Sequence, residues 1–214
     1  MQKIMFNDRY HLTEAVLDGR KSMTRRLMPE PEIGLQVRLN YDNTVGFNQG
    51  DGWYLAPRQF QPKFHVWETI AIAQAYKDLN WPKYAVTNVD MERTMAEIVN
   101  SPGWNNKMFV RAERMPWKLR ITGIKLERLQ AINWDDCLME GVQAVKTRNG
   151  TRYIGGGEKV PDHEVDLVEV IKRKRVAFET PKEAFAHLID KVSGNGTWET
   201  NPYVFAYSFQ VIKK

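Results

Sequence analysis

A lysine three residues before a threonine, set among arginines, is a pairing that could do acyl-transfer chemistry. The stretch Gly19-Arg20-Lys21-Ser22-Met23-Thr24-Arg25-Arg26 holds four cations and two hydroxyls. A threonine hydroxyl attacks a carbonyl only if something accepts its proton, and a neutral lysine amine can do that. Keeping a lysine neutral near pH 7.5, against its usual value of about 10.4, destabilises the cation by roughly 4 kcal/mol. Arg20, Arg25 and Arg26, together with partial burial, push in that direction. If a helix runs on past Gly19, the spacing sets Lys21 and Thr24 about 60° apart on one face. The plainer alternative is a basic turn that grips phosphates or is merely solvated.

A proton donor would complete such a site. Asn133-Trp134-Asp135-Asp136 offers cap residues for a short helix that stops at Glu140-Gly141. A carboxylate in a last helical turn opposes the dipole, and a raised carboxyl pKa would suit a donor. Exposed helix-end glutamates are common too. Glu68 follows an apolar stretch and could reach the same cavity as a substrate ligand, or pair with an arginine at a strand end. The four histidines, His11, His65, His163 and His187, show no metal-ligand spacing and no HExxH pattern, so no metal or other cofactor is expected. Gly155-Gly156-Gly157 lacks a nucleotide-loop context and reads as flexibility alone. Trp117 and Trp198 read as core or pocket walls rather than a base-stacking platform.

The elements that must position these residues follow from periodicity. Lys3 to Phe6 alternate as an opening strand, and a helix follows from Asn7 or Asp8 with Tyr10, Leu12, Ala15, Val16 and Leu17 as its stripe. Gly19 is its stop signal, which puts the basic segment at a helix C-terminus where the dipole favours cations. Met28-Pro29-Glu30-Pro31 breaks regular structure, and short β-like pieces lie at Leu35 to Leu39 and Trp53 to Leu55. Lys63 to Thr69 alternates and predicts a strand leading to Glu68. The polar run from Tyr76 to Trp104 reads as an insertion or lid with a helix over 89–100. Trp117 to Leu129 is the clearest strand, with a bulge at Gly123 to explain its change of phase. Residues 147–162 read as a mobile loop or hairpin, and 163–178 fit strand or helix equally. Thr180-Pro181-Lys182-Glu183 opens a helix with Phe185, Leu188, Ile189 and Val192 inward. Tyr203 to Ile212 closes the chain as a buried strand. Several strands with few helices between them predict an α+β fold, with a β part able to close as a barrel.

Composition narrows the function classes. Of 214 residues, 43% are hydrophobic and 27% charged, which is ordinary for a globular chain and argues against disorder. The net charge of +5 permits a nucleic-acid or nucleotide partner without requiring one. Cys137 is the only cysteine, so no intrachain disulfide forms and a reducing compartment fits. The N-terminus lacks the apolar core of a secretory signal, and no stretch approaches the roughly 20 apolar residues of a membrane span. A cytoplasmic protein is expected.

The same residues carry a family resemblance. Gly-Arg-Lys-Ser-x-Thr-Arg-Arg at 19–26 resembles the G-R-K-[TS]-x-T-R-R signature of ASCH domains, which are related to the PUA fold. Further stretches agree with the longer, phage-type members: Val66-Trp67-Glu68-Thr69; Met115-Pro116-Trp117 through Arg120-Ile121-Thr122 and Glu127-Arg128-Leu129-Gln130 to Glu140-Gly141-Val142; and Trp198 through Asn201-Pro202-Tyr203-Val204. The resemblance implies one domain over 1–214, a PUA-like β-barrel of about six strands with flanking helices and insertions around 76–104 and 147–175. Some small members are amidohydrolases that remove the acyl group from N4-acetylcytidine. Their lysine and threonine match Lys21 and Thr24, and their glutamate falls on Glu140 by its place in the helix after the long strand. Arg20, Arg25, Arg26 and Glu68 are then the expected substrate-binding residues, with Arg25 and Arg26 tuning Lys21 or steadying an oxyanion. The implied partner is a modified cytosine nucleoside or RNA, with no metal and no membrane. A non-catalytic RNA-binding module and a ribonuclease are the competing readings.

Overall fold

The chain's last segment, YVFAYSFQVIK, buries four successive residues, Val204 to Tyr207, so both of its faces meet protein. That is the pattern of a strand covered on both sides, and the fold is arranged around it. The structure is a computed structural model that describes residues 1–79, 91–161, 163–166 and 176–213. In chain order its elements are β1 (Lys3–Ile4), α1 (Leu12–Leu17), β2 (Met23–Leu27), β3 (Gln36–Leu39), β4 (Val45–Asn48), β5 (Trp53–Leu55), β6 (Thr69–Ile72), α2 (Met91–Val99), β7 (Trp117–Arg128), α3 (Trp134–Met139), β8 (Val142–Thr147), β9 (Gly150–Gly155), α4 (Pro181–Ser193), α5 (Thr197–Thr200) and β10 (Tyr203–Lys213). The architecture is mixed α+β.

The main sheet has the order β1-β6-β7-β10-β2, with β1 parallel to β6 and the other pairs antiparallel. Separate sheets are formed by β3-β4-β5 and by the β8-β9 hairpin. Among the described residues no ladder joins β1 to β2, so these two strands are the edges of an open sheet. A side chain links them instead: Arg26 on β2 donates from Nη2 to the Met5 carbonyl, just after β1, at 2.6 Å. Between β7 and β10 the register shifts, with Ser208 opposite Gly123 and Phe209 opposite Ile121. Thr122 is therefore the extra residue of a bulge beside Gly123, which accounts for the change of phase.

One face of the main sheet packs its apolar residues, Leu119, Ile121, Phe205, Tyr207 and Phe209, with Ile4, Phe6, Leu12 and Val16 in the largest core cluster. Each such buried side chain stabilises the fold by about 1.5–3 kcal/mol. The opposite face meets α3 and α4 through Val204, Leu129, Ala184, Phe185 and Ile189. Helix α4 begins as predicted. Thr180 Oγ1 accepts the Glu183 amide, the Glu183 carboxylate accepts the Thr180 amide, and Pro181 takes the first helical position. Tyr76, Leu79, Ile98, Val110 and Met115 form a further cluster on Ala71 and Ala73.

Several expectations change. The helix from Asn7 is split: Asp8–Tyr10 forms a 3-10 turn capped by Asn7, and His11 at φ +54 turns the chain before α1 starts. The opening strand pairs only at Lys3 and Ile4. Lys63 to Glu68 is not a strand. Trp67 at φ +70 turns the backbone just before β6, and His65 and Glu68 close a turn on each other. The helix expected over 89–100 is observed as Met91–Val99, with 89 and 90 outside the described residues. Of the ambiguous 163–178 stretch, 167–175 lie outside them, and Phe178 bridges to Tyr153. Residues 147–155 contribute to a hairpin, and two of the three glycines, Gly155 and Gly156, are packed rather than merely flexible. A Cβ on Gly155 would lie 2.6 Å from the Ala184 carbonyl oxygen, and Gly156 (φ +67) sits against the Tyr10 carbonyl. Among the described residues no helix is long and apolar enough to cross a membrane.

Candidate functional site

Gly19, at φ +82, ends the α1 segment, so Lys21 and Thr24 do not share a helix face. Residues 19–22 form a connector pinned at both sides, with Lys21 N–H on the Ala15 carbonyl (2.8 Å) and Ser22 N–H on the Met139 carbonyl (2.9 Å). Thr24, Arg25 and Arg26 then lie on β2, in register with Tyr207, Ala206 and Phe205 of β10. Alternation along a strand sends Thr24 and Arg26 to one face and Arg25 to the other. Local spacing could not separate these two arrangements, because only pairing with a strand 180 residues away decides between them.

The outer edge of β2 borders a cleft of about 640 Å³, closed by the segment Met5 to Arg9 and by α4. Its volume lies within the range of small-molecule sites. Lys21, Thr24, Arg25, Arg26 and Glu140 all line it, and Phe185, Leu188, Ile189 and Val192 form an apolar wall. Glu140 is presented by the sharp end of α3. Asn133 caps the start of that helix by accepting the Asp136 amide at 2.8 Å, and Gly141 at φ +97 turns the chain away beside the Lys21 stem.

The Lys21 amine donates to the Glu140 carboxylate (Oε2, 2.5 Å) and to the Glu140 backbone carbonyl (2.7 Å). Lys21 is 3% exposed and Glu140 4%. Burial pushes the Lys21 amine below the ordinary lysine value. Glu140 opposes that push, and Arg26 and Arg25 add to it. Thr24 is buried to 5%, and its hydroxyl makes no hydrogen bond to another described residue. Lys21 and Thr24 thus face one cleft without touching through a hydrogen bond.

Arg25 is sealed rather than poised for a ligand. Its Nη1 donates to Glu140 Oε1 (3.1 Å), and its Nη2 donates to Glu127 Oε1 (2.6 Å) and Asp136 Oδ2 (2.8 Å). Burial alone would lower its pKa, but the three carboxylates more than offset that and raise it. Glu127 and Asp136 were not singled out from sequence as site residues. The only trace of Asp136 was its place in the cap of the helix that ends at Glu140.

Two expected ligands lie elsewhere. Glu68 does not line the cleft, and its Oε2 accepts the His65 amide at 3.0 Å within its own turn. Arg20 is turned away, bound to Asp18 at 2.7 Å and to the Gly157 carbonyl. Trp198 packs edge-on to Phe185 in the core. Among the described residues no group of three His, Cys, Asp or Glu side chains could hold a metal ion. Comparison of the chain with protein-family models, with curated proteins and with solved structures finds no match.

Proposed function

We propose that the chain is an amidohydrolase of the ASCH type that deacylates N4-acylated cytosine nucleosides, with Thr24 as nucleophile, Lys21 as its base and Glu140 as the carboxylate that assists protonation of the leaving nitrogen. The observation that carries this reading is the hydrogen bonding of the Lys21 amine. Its bonds go to two oxygens of Glu140. A neutral amine has two N–H donors and one lone pair, so with both donors engaged on Glu140 the lone pair is left for the cleft that Thr24 lines. The lowered pKa of Lys21 favours that neutral form.

In the reaction Thr24 Oγ attacks the acyl carbonyl carbon and gives its proton to Lys21, through a bridging water or a small rotation of the lysine stem. The tetrahedral intermediate collapses with cleavage of the C–N bond. The proton passes from Lys21, steadied by Glu140, to the exocyclic nitrogen of cytosine. Water, with Lys21 again as base, then hydrolyses the Thr24 ester, releasing the carboxylic acid and restoring the hydroxyl. The proposal includes the finer fold reading: the main sheet would be the larger part of a PUA-like barrel, its edges spanned by Arg26.

Incubation with N4-acetylcytidine, following cytidine release by chromatography, tests the reading. Turnover by the wild-type protein and none by Thr24→Ala is the expected result. An inert wild type, or full turnover by Thr24→Ala, overturns it. A second reading, an RNA-binding module, is favoured by one feature: Arg9 and Arg26 both line the cleft and would suit phosphates. It predicts salt-dependent RNA affinity that Thr24→Ala leaves unchanged.

A further inference from the structure

Glu140 is held from two sides, and the second side is the informative one. Its Oε2 meets Lys21 and its Oε1 meets Arg25, and the side chain is only 5% exposed. Were Lys21 its sole partner, loss of the lysine proton would strand a buried carboxylate without a cation, an arrangement proteins avoid. Arginine stays charged across the accessible pH range. Arg25 therefore keeps Glu140 paired whether or not Lys21 carries its proton.

Arg25 is itself fixed from behind the sheet. Its side chain is 1% exposed, and Asp136 (7%) and Glu127 (20%) grip the guanidinium on the face that Thr24 does not share. Lys125, on the same face, reaches Asp136 at 3.2 Å and is half-exposed. Three basic side chains, Lys21, Arg25 and Lys125, and three carboxylates, Glu140, Asp136 and Glu127, thus form one connected set from the cleft to solvent. We propose that Arg25 is a positioning residue and not a substrate ligand: anchored by Asp136 and Glu127, it holds the Glu140 carboxylate against the Lys21 amine and keeps that carboxylate paired when the amine is neutral.

Other charged groups reach the cleft. Arg26 reaches it from β2, Asp8 and Arg9 come from the opposite wall, and Lys107 is paired with Asp8 at 2.7 Å, while α4 presents apolar side chains and Ser193. Arg25 differs from all of these in touching Glu140 itself. That the Lys21–Glu140 pair is catalytic rests on the amidohydrolase reading; that Arg25 holds and pairs Glu140 does not.

The test reads Lys21 directly. Protein labelled with 13C-lysine is titrated by NMR, with the Lys21 Cε signal assigned by its loss in Lys21→Arg. In Arg25→Met the Lys21 midpoint is expected to rise by about one pH unit, a tenfold gain in proton affinity, because a like charge is gone. In Arg25→Lys, which keeps the charge, it stays closer to wild type. Because Arg25→Met leaves three carboxylates short of a partner, the charge-balanced Arg25→Met/Asp136→Asn is measured beside it, with circular dichroism to check the fold, and is expected to shift in the same direction. An unmoved midpoint in a folded Met variant, or an equal shift in Arg25→Lys and Arg25→Met, overturns the proposal. The acid limb of the N4-acetylcytidine pH–rate profile should move with the midpoint. If wild type turns nothing over while the midpoint still shifts, the amidohydrolase reading fails and the role of Arg25 stands.

Discussion

The Lys21 amine holds Glu140 twice, by its carboxylate at 2.5 Å and by its backbone carbonyl at 2.7 Å. One side chain therefore fixes both the charge and the chain direction where α3 ends, which ties the candidate chemistry to the fold. Lys21→Met should be costly, since it removes both hydrogen bonds that the amine gives to the buried Glu140. The expected loss is about 3 kcal/mol in urea unfolding, and Lys21→Met/Glu140→Gln should recover part of it. A single variant as stable as wild type would show that the pair contributes nothing to the fold.

Thr24 behaves differently. Its hydroxyl makes no hydrogen bond within the described residues, so Thr24→Val, close to isosteric, should change stability by less than about 1 kcal/mol. Deacylation by the same variant should fall below detection, while Thr24→Ser keeps measurable turnover. Melting curves beside cytidine release separate the two effects. A Thr24→Val enzyme that retains activity would remove the nucleophile from the mechanism.

How much of this could be read from the sequence differs from residue to residue. The start of α4 was legible because Thr180, Pro181 and Glu183 act within one turn, and the bulge beside Gly123 because it disturbs a local alternation. The 63–68 turn was misread, because its side chains alternate like a strand while Trp67 turns the backbone left-handed. Lys21, Thr24 and Glu140 could be singled out by type and line one cleft, but the strand that carries Thr24 could not be read. The partners of Arg25 were invisible for a simpler reason. Glu127 and Asp136 lie 102 and 111 residues further along the chain, and nothing near Arg25 announces them.

The pH–rate profile should carry the mark of Glu140. This carboxylate raises the pKa of Lys21 against the downward push of burial. In Glu140→Gln the Lys21 midpoint should fall further, and the acid limb of kcat/KM should move to lower pH even as the maximal rate drops. An upward move, or none, would contradict the assigned base.

Alkaline stability offers a check that needs no substrate. Burial raises the Cys137 thiol from 9.0 to about 12 and the Tyr207 hydroxyl from 10.0 to about 12. Between those values the native state keeps protons that the unfolded chain releases, so stability is full below about pH 9 and declines as pH climbs toward 12. Tyr207→Phe should flatten that decline. It also removes the acceptor of the Lys63 amide (3.0 Å), which costs about 1 kcal/mol at neutral pH. Guanidinium melts at pH 8, 10 and 11 measure both effects.

The link from Arg26 to the Met5 carbonyl carries a consequence beyond the cleft. An unpaired strand edge is a template on which a second chain can dock its own backbone, and charge along the edge is a common defence. β2 is such an edge, its far end is exposed at Leu27 (49%), and the Arg26 bridge stands across the approach. Arg26→Val would remove the guardian and add a β-forming side chain in its place. The first symptom should be concentration-dependent self-association in light scattering, appearing while the monomer is still folded.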